Sequence, residues 1–365
     1  MSIRKMSLTD GPIRVFVVGT TDRTCKITSP LTQADIDVKH LQFTGSESLL
    51  PFSRRVGAFD PDIIITDSVG WVGAITFAVA VRHRIPYAVR VRGDALTEHG
   101  IWLREHASER SAFQFLKEII KTGCTVVSLS AASCRLFVSE FLRDRSLCRL
   151  FKHEQDPVIP TPTPLPETET DTSDGNALVT GIDNGGVILS VSNFVFREKA
   201  EGLADAIPEI VEVLDAHPEW QLRIAGDGRH HDLVANAVSA ADTDDINLLG
   251  YVDDLATEYR SADVFVHFSR LDAYPSTVLE AGSYGLPVVV NDSGGMPEQV
   301  ADGETGYVVD LGEPTTIKDS LNKLINHSDH RRSLGRAHRR IVAERNTDRA
   351  VGKQFRKVLN RLTGR

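Results

Sequence analysis

The sequence predicts an α/β protein built from two consecutive units, and three observations carry that prediction. Short apolar runs alternate with helical segments from Ile13 onward, which is the pattern of parallel sheets covered by helices rather than of an all-β or all-α body. The chain has 365 residues, 41% of them hydrophobic, which is long for one core and natural for two. A stretch rich in Pro, Thr, Asp and Gly, residues 156–186, breaks the alternation and cannot bury much apolar surface, so it reads as an exposed crossover.

In the first unit, IRVFVVG (13–19), DIIITDS (62–68), PYAVRVR (86–92) and TVVSLS (125–130) read as strands. WVGAITFAVAVRH (71–83) reads as an apolar helix, and a further helix is expected near residues 131–144. Asp60-Pro61-Asp62 fits a metal-binding DxD pattern but directly precedes a strand and reads as a turn. In the second unit, VILSVSNFVFREKAEGL (187–203) reads as strand, basic loop and helix. LRIAGDGRHH (222–231) and INLLGYVDD (246–254) read as buried strands ending in Gly-rich turns. Ligands of open parallel sheets bind at the carboxyl ends of strands, so Gly226, Asp227 and Gly228 are expected to line a site.

The most informative run is DVFVHFSRLDAYPSTVLEAGSYGLPVVVNDSGGMPEQVADGETGYVV (263–309). Pro275 suits the first position of a helix, where its missing N–H costs nothing. The first turn of that helix leaves amides free around Ser276 and Thr277 and carries roughly half a positive charge, a place for a diphosphate. Glu280 lies about one and a half turns in, at ~1.5 Å per residue, where it could accept hydrogen bonds from ribose hydroxyls. Asp272, in the preceding loop, would face the next unit of the ligand. A surface helix with two solvated acids is the plainer alternative.

This segment resembles the donor-binding motif of glycosyltransferase family 4. The resemblance rests on Asp272, Ala273, Tyr274 and Pro275, then Glu280, then Gly285-Leu286-Pro287 and Gly294-Gly295-Met296-Pro297-Glu298. The first acid is Asp where the family has Glu, which shortens its reach by one methylene. The resemblance extends upstream to residues 187–203. It implies that Arg197 and Lys199 hold the diphosphate, Arg197 bidentately and Lys199 as a point charge, with Asn193 standing where the family commonly has Arg. It implies that backbone groups of Gly250 and Tyr251 hold the nucleotide base. Arg92 and Asp94 stand where many relatives have a His-Gly pair, and Gly19-Thr20-Thr21 replaces a common Gly-Gly turn.

What the resemblance implies overall is a GT-B architecture, two Rossmann-like domains facing each other across a cleft. The expected division is an acceptor-side domain over 1–165, a linker over 166–186, a donor-binding domain over 187–345, and a helix within 346–365 that packs back on the first domain. The implied activity is that of a retaining glycosyltransferase of the hexosyltransferase type. It would use a UDP- or GDP-linked sugar and a glycan or lipid-linked acceptor, with no metal and no other cofactor. Asp272, Arg92 and Asp94 would be closest to the chemistry. A non-catalytic nucleotide-sugar binding protein and a nucleotide-sugar epimerase are the alternatives.

A net charge of −9 argues against nucleic acid as a general partner, because phosphate-backbone binding needs a concentrated basic face. Cys25, Cys124, Cys134 and Cys148 show no zinc spacing, and neither a secretory leader nor an apolar stretch of about 20 residues is evident, so a cytoplasmic protein is expected. Any membrane contact would be peripheral, at the inner face. The Arg-dense stretch from His330 to Arg365 could approach anionic lipid, or be a solvated helix face.

Overall fold

The computed structural model describes residues 11–20, 24–43, 49–108, 111–154, 156–166, 185–313 and 315–364. The chain divides into two compact units, Met1–Pro162 with Thr347–Arg365, and Thr163–Asn346.

The first unit runs β1 (Arg14–Gly19), α1 (Cys25–Gln33), β2 (Asp37–Gln42), α2 (Leu49–Phe59), β3 (Ile63–Thr66), α3 (Trp71–His83), β4 (Tyr87–Val91), α4 (Ala95–Ser108), α5 (Ala112–Ala131), β5 (Cys134–Phe137) and α6 (Glu140–Asp144). Its five strands form one parallel sheet in the order β2-β1-β3-β4-β5. β3 reads IIIT and is buried at every position, as a strand covered on both faces must be. α3 ends on Arg84 in the left-handed conformation, φ 56°, which returns the chain to the sheet.

The second unit runs β6 (Gly186–Val191), α7 (Arg197–Ala216), β7 (Trp220–Ala225), α8 (His231–Ala241), β8 (Ile246–Gly250), α9 (Ala256–Ser261), β9 (Val264–His267), α10 (Ser276–Ser283), β10 (Val288–Asn291), β11 (Gly306–Val309), α11 (Thr315–Asn326) and α12 (Ser328–Arg345). Its six strands are also parallel, in the order β11-β10-β9-β6-β7-β8. The chain leaves β6 toward β7 and β8 and then returns to β9 on the other side of β6. The loops after β6 and β9 therefore diverge at a topological switch point, where such sheets bind ligands.

α13 (Asp348–Thr363) follows the second unit in sequence and belongs to the first. Val351, Phe355, Val358 and Leu359 are buried in the core that contains Val15, Ile27, Leu31 and Ile63. Gly352 permits the close approach, since a Cβ there would stand 2.3 Å from the Pro30 carbonyl oxygen. The cap is Thr347, whose hydroxyl accepts from the Ala350 amide at 3.3 Å.

Two expected elements are corrected. Residues 125–130 are not a strand but the last turns of α5: Thr125, Ser128 and Leu129 are buried at helical spacing while Val126 and Val127 are exposed. The strand is β5 instead, followed by the short α6, where a helix near 131–144 is expected from sequence. Its central Arg135 is fully buried, with Nε 2.6 Å from Asp156 Oδ2, so an ion pair hid a core strand from a reading based on apolar runs. The same pair shows that the crossover is not exposed at its start. Asp156, Ile159, Thr161 and Thr163 are buried, and Ile159 joins the first core. Of the expected linker, residues 167–184 lie outside the described residues, and Gly186 already opens β6.

Candidate active site

The parallel order of the second sheet brings the segments after β6, β7, β8, β9 and β10 to one edge, the carboxyl one. After β6 the chain runs through Asn193 to α7, which begins at Arg197. Gly202 lets α7 lie against the loop after β9, since a Cβ there would come within 2.7 Å of the Ser269 Cα. The result is a junction at the switch point: Lys199 Nζ donates to Asp272 Oδ1 at 2.5 Å, and His267 Nε2 lies 3.0 Å from Asp272 Oδ2.

Burial by itself would raise the Asp272 carboxyl. The His267 hydrogen bond and the Lys199 charge outweigh it and hold the group well below the usual carboxylate range. Asp272 is thus ionised at neutral pH, and His267 donates to it through Nε2, with Nδ1 on the far side of the ring. That Nδ1 is buried and finds no hydrogen-bond partner among the described residues.

The Asp272 loop is fixed from three sides. The Asn291 side chain clamps Ser269, accepting from its amide at 2.8 Å and donating to its carbonyl at 3.0 Å. The Arg270 amide donates to the Glu198 carbonyl at 3.1 Å. Gly294, at φ 61°, presses on the Asp272 carbonyl so closely that a Cβ would stand 1.8 Å away, and the Gly295 amide donates to the same oxygen at 3.2 Å.

Pro275 is the cap of α10 rather than its first helical residue, with ψ 127°, and its carbonyl accepts from Gln299 Nε2 at 3.0 Å. Ser276 and Thr277 therefore occupy the first turn, whose amides lack intrahelical partners. The Thr277 hydroxyl oxygen is also buried with no hydrogen-bond partner among the described residues. Glu280 is half-buried and accepts from the Tyr259 hydroxyl at 3.1 Å through Oε2. Burial first, and then the Glu280 charge, hold the Tyr259 phenol protonated far above its ordinary range. Tyr274 reaches Asn346 with its hydroxyl.

The Gly226-Asp227-Gly228 turn is a packing device as well as a rim. Both glycines have φ near 150°, and a Cβ on either would collide with the loop after β6, 1.9 Å from the Ser192 oxygen or 2.5 Å from the Phe194 carbonyl carbon. The Phe194 amide donates to the Asp227 carbonyl at 3.0 Å, and the Gly226 amide to the Gly250 carbonyl at 2.7 Å, so β6, β7 and β8 end in one connected rim. Tyr251, next along it, is exposed.

Not every residue singled out from sequence joins this junction. Arg197 is exposed and pairs with Glu201 at 2.7 Å. In the first unit, Arg92 Nε lies 3.1 Å from Asp67 Oδ1, so the ends of β3 and β4 are tied. The Asp94 carboxylate accepts from the Thr97 amide at 3.3 Å and hydroxyl at 2.8 Å, which gives it the task of capping α4. His267, Tyr259 and Asn291 were missed from sequence. A histidine five residues before Asp272, at a strand end, was the available signal for the first. Among the described residues no group of three or more His, Cys, Asp or Glu side chains could hold a metal ion.

Two parallel-sheet α/β units with a charged junction at a switch point define the chain as a Rossmann-like protein of the GT-B type. Residues 179–341 match the family described as glycosyl transferases group 1. N-acetyl-alpha-D-glucosaminyl L-malate synthase from Bacillus anthracis is 25% identical over 173 residues, which is 47% of this chain and 44% of that protein. The chain thus matches less than half the length of that curated relative. Among solved structures, Anabaena HepE in complex with UDP superposes with a TM-score of 0.69 at 16% identity, covering 96% of this chain and 100% of that one. Sucrose-phosphate synthase from Thermosynechococcus elongatus gives 0.69 at 15% identity, covering 96% and 99%.

Proposed function

We propose that the chain is a retaining glycosyltransferase that moves a sugar from a nucleotide-diphosphate donor to an acceptor hydroxyl. The observation that carries this reading is the Lys199–Asp272–His267 junction at the switch point of the second sheet, beside a helix mouth with free amides. A diphosphate at that mouth meets the Ser276 and Thr277 amides, the unpartnered Thr277 hydroxyl and the Lys199 ammonium, with Arg197 reaching it by turning from Glu201. As the anomeric C–O bond breaks, negative charge grows on the leaving phosphate, and these groups stabilise it without a metal ion. The acceptor oxygen bonds to the anomeric carbon on the face the phosphate leaves, and the phosphate takes the acceptor's proton. Glu280, held by Tyr259 through one oxygen, offers the other to the ribose hydroxyls. Arg92, at the carboxyl edge of the first sheet, is the acceptor-side residue this reading retains.

UDP is the favoured nucleotide because the HepE structure was solved with it, with GDP the alternative. A glycan or lipid-linked hydroxyl is the acceptor class. The test is a thermal-shift and calorimetric titration with UDP, GDP and their sugars, in which a ligand at about 100 times its dissociation constant adds roughly 2.7 kcal/mol to stability. Lys199→Ala and Glu280→Gln are each expected to weaken donor binding or turnover by about tenfold or more, roughly 1.4 kcal/mol. Near-wild-type binding and transfer in both variants would overturn the assignment.

A further inference from the structure

α5 is amphipathic in the wrong direction for an ordinary surface helix. Its inward face is polar. Glu118 is buried against His99 and bonded to Lys121 at 3.1 Å, Thr125 Oγ1 meets His99 Nε2 at 2.9 Å, and Ser128 meets the Tyr87 hydroxyl at 2.6 Å. Its outward face is apolar: Phe113 is 76% exposed, Leu116 56%, Ile120 50% and Val127 45%, with Phe115, Ile119 and Val126 exposed beside them. At ~100° per residue these seven side chains fall within an arc of about 160°. No charged side chain of α5 falls in that arc. A soluble helix normally turns such an arc to the core.

The arc also lacks hydrogen-bonding groups for a protein partner. Its one hydroxyl, Ser130, is bonded back to the Val126 carbonyl at 2.7 Å. Charge on the helix is one-sided as well. The whole chain carries nine more acids than bases, yet α5 exposes Lys117 and Lys121 and no acid, because Glu118 is turned inward. An apolar arc some 20 Å long, at ~1.5 Å per residue, with lysines along one flank is complementary to an anionic lipid surface. No helix of the described residues is long and apolar enough to cross a membrane, so the contact is one of lying flat. The Arg-dense C-terminal stretch offers no equivalent: the apolar residues Leu334, Val342, Val351 and Phe355 are all buried there.

We propose that α5 is an interfacial anchor. Phe113, Leu116, Ile120 and Val127 enter the boundary between headgroups and acyl chains of an anionic bilayer, and Lys117 and Lys121 sit at the lipid phosphates.

The experiment is flotation of the full chain with phosphatidylcholine vesicles, with and without phosphatidylglycerol, at low and high salt. The wild type is expected to float with the anionic vesicles roughly tenfold better than with the neutral ones and to lose that preference in high salt. Leu116→Ser with Ile120→Ser is expected to weaken flotation roughly tenfold, and Lys117→Glu to weaken the anionic preference, with thermal midpoints and donor binding unchanged. Phe113→Trp supplies a readout that needs no loss of function, an emission that shifts to the blue and is quenched by brominated lipid. Wild-type protein that ignores anionic vesicles, or an emission that stays unmoved, would overturn the proposal. A wild-type dimer that Leu116→Ser with Ile120→Ser splits into monomers would do the same, assigning the arc to a second copy of the chain.

Discussion

His338 shows what one side chain contributes when it is buried neutral. Its Nδ1–H donates to the Leu286 carbonyl at 3.0 Å, Nε2 is enclosed without a hydrogen-bond partner among the described residues, and the ring fills the space that a Cβ on Gly282 would need. Burial pushes its pKa down to about 4. The folded state therefore resists a proton that the unfolded chain takes up near the ordinary value of 6.5, and stability is lost as pH falls from 6.5 toward 4, by up to roughly 3 kcal/mol. The urea midpoint should drop between pH 7 and pH 5 in the wild type and drop less in His338→Gln. Asp272 acts in a lower window: its depressed carboxyl contributes stability that is lost only as pH falls below the usual carboxylate range. At this scale Lys199, Asp272 and Glu280 were legible because a motif holds them. His267 and Tyr259 were not, because a strand-end histidine and a buried tyrosine look like core until topology sets their neighbours.

Among elements, the turn after β7 is the one most sensitive to a single methyl. Gly226→Ala must relieve both a positive φ and an overlap with the Ser192 carbonyl, and is expected to cost roughly 2–5 kcal/mol in urea unfolding. In variants that still fold, the donor binding proposed above should weaken because the loop after β6 shifts with the turn. From sequence, Gly-Asp-Gly read only as a turn lining a site, since nothing local reveals that another loop presses against it. The strands of both sheets were legible wherever they are continuous apolar runs, as in β3 and β6. β5 was not, because Arg135 breaks its run, and the end of α5 was mistaken for a strand because its outward residues are Val126 and Val127. The apolar arc that misled the assignment is the same feature that points to lipid.

For the whole molecule, the division into two units was legible in the composition, but the membership of the last helix rested on resemblance alone. α13 contributes Val351, Phe355, Val358 and Leu359 to the first core, and burying four such side chains stabilises by roughly 6–12 kcal/mol, comparable with the full stability of a domain. A chain ending at Asn346 should therefore lose the cooperative melting of the first unit while the second keeps its own transition and any nucleotide binding the full chain shows, measurable by calorimetry with and without nucleotide. The same connectivity sets a schedule for synthesis. As the polypeptide leaves the ribosome, the unit begun first must wait with an open hydrophobic seam while the whole of residues 163–346 emerges, so the later-encoded half is complete before the earlier one can close.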